Sequence, residues 1–495
     1  MILHSVEQIR DAEHAHETEL AAGVLMDRAS TALAVATAAL VREARGTTRG
    51  ARIVIVAGSG NNGGDALYAG ANLARRGMRV DAIGAGVHAG GLAALLREGG
   101  RFVDWSAQEA VDLIARADAI LDGIVGIGAT GPLRGRGAEL VDAVRSSGAL
   151  VVAVDLPSGI DADTGAVPGP AITADLTVTF GGAKAGLRIA PAVDHVGALH
   201  VADIGITDAL RASVATVLEA EDVAEFVPEP GFDDHKYRRG VVGVSAGSRA
   251  YPGASVLCTS GALGTDIGMV RYLDRGDDVS TMVLTAHPQA IRTTRVDDGR
   301  SNAWAAGPGF PGEPTDADVL TDILRTDLPV VLDAGALAAL AQSPDLRALV
   351  ASRAASTVIT PHDGEFARLG GTEDGGRLAG AQRLAVALGA VVVRKGPATV
   401  IVSPSGAAYV DTAGSPALAT AGSGDVLTGI TGALLAGAHA RGRDCGPDAV
   451  ARIAAAACWL HGMAGRRAAA EGRTVTAVDV AAHVPDAVAL ARRGL

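Results

Sequence analysis

Residues Ala419-Thr-Ala-Gly-Ser-Gly-Asp425 run directly into Val426-Leu-Thr-Gly-Ile-Thr-Gly-Ala-Leu-Leu435. The second stretch is apolar and free of proline and reads as a helix, so the glycine-rich stretch lies at a helix N-terminus. Gly422 and Gly424 lack a Cβ, which lets the backbone turn tightly with its N–H groups exposed. Orphan donors and the positive end of the helix dipole then face the same way, a ready anion site. Asp425 is the odd residue, a carboxylate where a phosphate would bind. Two readings are open: a helix N-cap, a position that favours Asp, or a general base beside a nucleotide phosphate.

The rest of the chain sets the context. Its 495 residues suggest two or three domains. Hydrophobic residues make up 48% and aromatics only 3%, which favours close-packed α/β layers over aromatic-rich all-β designs. A net charge of −12 with no long basic run argues against nucleic acid or an anionic membrane as the main partner. Small phosphorylated molecules still fit, because backbone nests bind phosphates in an acidic protein. Cys258, Cys445 and Cys458 are too few and too widely spaced for a disulfide or zinc framework, so a cytoplasmic location is expected. No signal peptide is read at the N-terminus, and no uninterrupted apolar run reaches the roughly 18 residues of a membrane span.

In the first half, Val6 to Ala44 reads as helical, with Gly23 dividing it into two helices. Arg52-Ile-Val-Ile-Val-Ala57 reads as a buried parallel strand. It runs into Gly58-Ser-Gly-Asn-Asn-Gly-Gly-Asp65, and a helix is expected from Ala66 to Arg76. Strand, glycine loop and helix make the context of a nucleotide loop, although a tight turn without ligand reads the same way. Further strands are expected at 79–84, 117–122, 150–155 and 174–180. Four strand ends thus carry polar or glycine loops: Asn61 to Asp65, Asp122 to Gly131, Asp155 to Ser158, and Lys184. Open α/β sheets bind ligands along that edge.

Gly60-Asn-Asn-Gly-Gly-Asp65, the Asp122 loop and Asp155-Leu-Pro-Ser-Gly-Ile-Asp-Ala-Asp-Thr-Gly165 resemble the NAD(P)H-hydrate epimerase domain, over about Met1 to Asp208. The resemblance implies a Rossmann-like three-layer α/β/α fold for a domain spanning 1–219. It implies contacts to the hydrated cofactor from Asn61, Asn62, Gly63, Gly64 and Asp65, from Gly126, Ile127, Gly128, Ala129, Thr130, Gly131 and Pro132, and from Asp155. It also implies a potassium ion held by Asn62, Asp122 and Ser158, oxygen donors of the type alkali cations take. Ile127 departs from the family, which usually has Thr there. Asp155, at a strand end where burial would raise its pKa, is the candidate acid–base residue. Its other reading is a hydrogen bond to a substrate hydroxyl.

A Pro-containing acidic stretch, Glu219 to Asp234, places the domain boundary near Ala220. Strand and helix signals then alternate again, with strands expected at 330–333, 357–360, 391–394 and 399–402 and a helix opening at Tyr251-Pro-Gly. Thr360-Pro-His-Asp-Gly-Glu365, Arg394-Lys-Gly-Pro-Ala-Thr399 and Ala421-Gly-Ser-Gly-Asp-Val-Leu427 resemble the ADP/ATP-dependent NAD(P)H-hydrate dehydratase domain. This implies a ribokinase-like fold for 220–495 and Mg²⁺ brought with ADP or ATP. The implied nucleotide contacts are Lys395, Gly396, Pro397, Ala398 and Thr399, and Ser415, Pro416, Ala417, Leu418, Ala419, Thr420, Ala421, Gly422, Ser423 and Gly424. Ala254, Gly309, His362 and Asp425 are implied to meet the hydrated cofactor. The family usually reads Gly-Gly-Thr-Gly-Asp at the loop, and Gly335 stands where it commonly carries Asp. His362 and Lys395 also read as a turn histidine and a solvated loop charge.

The combined expectation is an α/β chain of two domains, a repair enzyme that epimerises hydrated NADH or NADPH and dehydrates the S form at the expense of ADP or ATP. Its partners are those small molecules, with a homo-oligomer expected. The alternative is a ribokinase-like vitamin-precursor kinase fused to a nucleotide-binding module. The Ala-rich stretch Ala454 to Gly462 reads equally as a subunit contact or as ordinary core.

Overall fold

The computed structural model describes residues 1–129 and 131–494, so the expectation at Thr130 lies outside the described residues. The chain divides into two compact units, Ile2–Ala215 and the chain from Thr216 onward. The Pro-containing stretch Glu219 to Asp234 that suggested a boundary lies just inside the second unit and includes the helix Ala220–Ala224.

Seven strands form the sheet of the first unit, in the spatial order 101–104, 79–84, 52–57, 119–123, 150–154, 176–180 and 198–202. Every pairing is parallel. Strand Ile53–Ala57 is wholly buried, as a continuous apolar run in a doubly covered sheet must be. The chain fills one side of Arg52–Ala57 first, then crosses to Ala119–Gly123 on the other. That reversal opens a crevice between the C-terminal ends of these two strands. The expected pair of N-terminal helices is three, Val6–Ala15, Glu17–Ala21 and Val24–Arg45, with Gly23 at φ 75° where the last begins. Val24–Arg45 has the length and apolarity to cross a membrane, but Leu25, Ala29, Leu33, Ala38 and Val41 are buried in the core of this unit.

The second unit repeats the plan. Its sheet runs 291–293, 269–273, 241–245, 303–306, 330–332, 357–359, 391–394, 399–402 and 408–411. The first seven are parallel, and Thr399–Val402 is antiparallel to both neighbours. The order reverses between Val241–Ser245 and Ala303–Ala306. Helix Ser423–Ala440 is buried along almost its whole length, and Pro447–Ala468 packs beside it. Ala454 to Leu460 are core residues of this one chain, which settles the two readings of that stretch.

Candidate active sites

In the first unit the crevice is closed by a helix that starts earlier than expected. Asn61–Arg75 is one helix, so Asn61 to Asp65 form its opening turns rather than a loop. Gly63 makes this possible: a Cβ there would lie 2.2 Å from the carbonyl oxygen of Gly58. The Asn62 amide donates to Val125 O at 2.8 Å. Asp122, 1% exposed, accepts from Ser158 N (2.7 Å) and Ser158 Oγ (2.6 Å). Ser158 Oγ also accepts from Val125 N. Burial lifts the Asp122 carboxyl to about 6 against the pull of the Ser158 bonds. Asn62, Asp122 and Ser158 are thus drawn together around Val125. The donors are one carboxylate, one hydroxyl, one amide oxygen and nearby carbonyls, a hard set of low charge that fits a potassium ion.

Asp155 follows strand Leu150–Val154 with φ 66°, in the left-handed region. Its Oδ1 accepts from Lys184 Nζ (2.5 Å), Thr179 Oγ1 (3.1 Å) and Phe180 N (3.2 Å). Lys184 is 1% exposed and also bonds Thr179 Oγ1 and Phe180 O. Asp65 is 9% exposed, and among the described residues no donor reaches its carboxyl. Burial first, then the charges of Asp155 and Glu13, hold it well above the ordinary range, with Lys184 pulling back. Ile127 is anchored through its backbone, by Arg10 donating to Ile127 O at 3.2 Å. The Ile127 side chain packs against the core.

In the second unit the organising helix is Ser423–Ala440, with Gly422 as N-cap at φ 88°. Asp425 is therefore the third helical residue, and the N-cap reading of it does not hold. Among the described residues, no protein donor reaches the Asp425 side chain. The Ser423 amide turns back to Thr420 O at 3.3 Å and that of Asp425 to Gly422 O at 3.1 Å. The amides of Gly422 and Gly424 have no protein acceptor among the described residues. Burial first, then the negative charge of Asp333, lifts Asp425 to about 7, with Lys395 opposing.

Sequence reading missed Asp333. It ends strand Val330–Leu332, is 2% exposed, and accepts from Lys395 Nζ (2.7 Å) and Thr428 Oγ1 (2.8 Å). A Cβ on Gly424 would sit 3.5 Å from both Lys395 Nζ and Asp333 Oδ2, so the ion pair lies directly under the glycine turn. Its signal was available, because it is an Asp at a strand end, as are Asp122 and Asp155. Lys395 is no solvated loop charge. Burial works against its ammonium, yet Asp333 and Glu365 outweigh that and raise its pKa. Gly335 is a steric requirement: a Cβ there would stand 2.4 Å from Phe310 O.

His461 was also missed. It is 8% exposed, and its Nε2 lies 2.9 Å from Ser423 Oγ, bracing the first turn from below. His362 caps helix Asp363–Arg368, its Nδ1 accepting from the Gly364 and Glu365 amides. Behind it Arg394 bonds Asp363 at 3.0 Å and stacks on Phe366. Ala254 and Gly309 meet at the strand-order reversal, where Gly247 N bonds Pro308 O at 2.7 Å. Of the 395–399 stretch, Lys395 reaches the glycine turn, while Ala398 is wholly buried. Ser415 Oγ is buried and has no partner among the described residues. Pro416–Leu418 is a short 3-10 turn, with Leu418 against Gly465. Among the described residues, no cluster of three or more His, Cys, Asp or Glu could hold a metal.

Two family models match the chain. Residues 22–186 match the YjeF-related protein N-terminus, and residues 242–486 match NAD(P)H-hydrate dehydratase. The bifunctional NAD(P)H-hydrate repair enzyme Nnr of Mycobacterium leprae is 44% identical over 418 residues, 83% of this chain and 84% of that one. That of Corynebacterium glutamicum is 33% identical over 476 residues, 81% of each chain. Among solved structures, the ADP/ATP-dependent NAD(P)H-hydrate dehydratase of Bacillus subtilis, co-crystallized with ATP/Mg²⁺, is 28% identical. It matches 56% of this chain and 98% of its own with a TM-score of 0.48. An aligned identity that spans most of both partners, with one family model on each unit, means that the chain belongs to the family of bifunctional NAD(P)H-hydrate repair enzymes.

Proposed function

We propose that the first unit interconverts the R and S forms of hydrated NADH or NADPH at Asp155, and that the second removes water from the S form using ADP or ATP, with Asp425 as base. The observation that carries the second assignment is Asp425 itself. It is a carboxylate free of protein donors, lifted to about 7, one residue from an amide with no acceptor. Such a group is poised to take a proton near neutral pH.

The substrate hydroxyl is a poor leaving group until it is phosphorylated. Asp425 takes its proton as the hydroxyl oxygen attacks the terminal phosphate of the nucleotide. The free Gly422 and Gly424 amides and the helix N-terminus receive the charge on the phosphoryl oxygens. Lys395, held by Asp333, adds a cation under the same turn. Phosphate then departs from carbon, pushed by the ring nitrogen lone pair, and loss of a proton from the adjacent ring carbon to the departing phosphate restores NADH or NADPH. Mg²⁺ bound with the nucleotide would neutralise its phosphates. The unpartnered Ser415 hydroxyl supports a nucleotide contact along Ser415 to Gly424, together with Lys395 to Thr399. Ala254, Gly309 and His362 complete the proposed cofactor side.

In the first unit we assign cofactor contacts to Asn61–Asp65, the 126–132 loop and Asp155, and potassium to Asn62, Asp122 and Ser158. That ion would fix the approach of the Asp122 and Val125 loops. Three free cysteines support a cytoplasmic location. Homo-oligomerisation is part of the proposal and is read by light scattering.

The test is incubation of mixed hydrated NADH epimers with ADP, following NADH absorbance and free phosphate. Complete conversion with one phosphate released per NADH is expected. Asp425→Asn should lower the dehydration rate by about 10²- to 10⁴-fold with ADP still bound. A stable phosphorylated product would instead identify a kinase, and undiminished turnover in the variant would place the base elsewhere.

A further inference from the structure

The first unit holds two buried carboxyl groups in opposite circumstances. Asp155 Oδ1 is saturated by three donors, while its Oδ2 accepts none among the described residues. Asp65 is as deeply buried and has no donor at all among the described residues. It comes from the opening turns of Asn61–Arg75, on the opposite side of the strand-order reversal. The charged groups that act on it are Asp155, Glu13 of the helix Val6–Ala15 and Lys184. When two carboxyls share a site and only one is neutralised by a cation, the other keeps its proton.

The substrate chemistry asks for such a pair. Water adds to an enamine so that the hydroxyl ends on the carbon bonded to nitrogen, and that carbon distinguishes the two epimers. Inverting it without losing water requires the carbon–nitrogen bond to open and close.

We propose that Asp155 and Asp65 divide this reaction, Asp155 as base on the hydroxyl and Asp65 as acid on the ring nitrogen. Asp155 Oδ2 takes the hydroxyl proton. The oxygen lone pair forms the carbonyl, and the carbon–nitrogen bond breaks with its electron pair going to nitrogen. Nitrogen takes the Asp65 proton. The open aldehyde turns about the bond next to its carbonyl and offers its other face. Nitrogen then attacks and returns its proton to Asp65, while the alkoxide recovers one from Asp155. Nothing is oxidised or reduced, and both carboxyls end as they began. Lys184 is a positioning residue that holds Asp155 Oδ1 and turns Oδ2 outward.

This assignment rests on the epimerase reading of the first unit, and the experiment separates the two. Interconversion of purified R and S hydrated NADPH is followed chromatographically without nucleotide, in the full chain, from pH 5 to 10. Failure of the parent protein to interconvert them overturns the epimerase reading itself. If it does interconvert them, the rate should fall toward the alkaline end of the range. Asp65→Asn should lower the optimum rate about 10²-fold or more and abolish the alkaline fall, because that fall is Asp65 losing its proton. Asp155→Asn should lower the rate across the range about 10²-fold or more. Dehydration of S epimer with ADP by the same samples should stay at the parental rate, which verifies an intact preparation. Circular dichroism and melting of Asp65→Asn check the first unit directly. A folded Asp65→Asn that keeps the parental rate, or loses rate with the alkaline fall unchanged, overturns the proposal.

Discussion

Asp425 illustrates what a reactive carboxylate costs the fold that carries it. Its proton is held to about 7 in the folded chain, against about 3.9 for an unperturbed Asp. Between those values the folded state binds more protons than the unfolded one, so stability falls as pH rises through the window and levels off above it. Asn carries no such penalty. Asp425→Asn should therefore melt higher than the parent at pH 8, with the gap narrowing at pH 5, in nucleotide-free samples. An equal gap at both values would contradict the assignment. Asp333 gives a second handle, because its charge raises Asp425 and neutralises Lys395. Removing it as Asp333→Asn lets the uncompensated ammonium favour the ionised base. The acid limb of the dehydration rate should then move down by roughly one pH unit.

At the scale of elements, the strands were legible and the helix starts were not. Runs such as Arg52–Ala57 and Leu150–Val154 declare themselves because both faces are buried. Met269–Leu273 was not seen, since Arg271 interrupts its apolar run. Both glycine segments were read as loops, yet Asn61 and Ser423 already belong to helices. Gly63 serves close packing of a helix start against the Gly58 backbone, and Gly422 supplies a positive φ at the cap; sequence alone does not separate these roles from flexibility. Gly63→Ala tests the point. The added methyl meets Gly58 O at 2.2 Å, and the shift should cost about 1–3 kcal/mol in the first unit. Epimerisation should fall sharply while dehydration of pure S epimer is unaffected. Equal melting of variant and parent would refute it.

For the molecule as a whole, tandem activities predict a particular time course. Mixed epimers supplied to Asp155→Asn with ADP should show a fast phase that ends when the S form is gone, then a slow phase at the uncatalysed rate of epimerisation. A single phase to completion would remove Asp155 from catalysis. Motifs foretold the residues on each sheet edge, but not the partners that set their chemistry. Lys184 bonding Asp155, Arg10 holding Ile127 O, Asp333 under Gly424 and His461 behind Ser423 all join segments far apart in the chain. Only the fold brings them together. One such pairing bears on biosynthesis. Strand Ile2–His4 lies parallel to Ala183–Lys184, with His4 opposite Lys184. The lysine that seats Asp155 thus takes its register from a strand translated well before it. During synthesis that strand has to wait, unpaired, until its later partner leaves the ribosome. The Asp155–Lys184 pair is then completed near the end of its unit's emergence, a slow non-local closure.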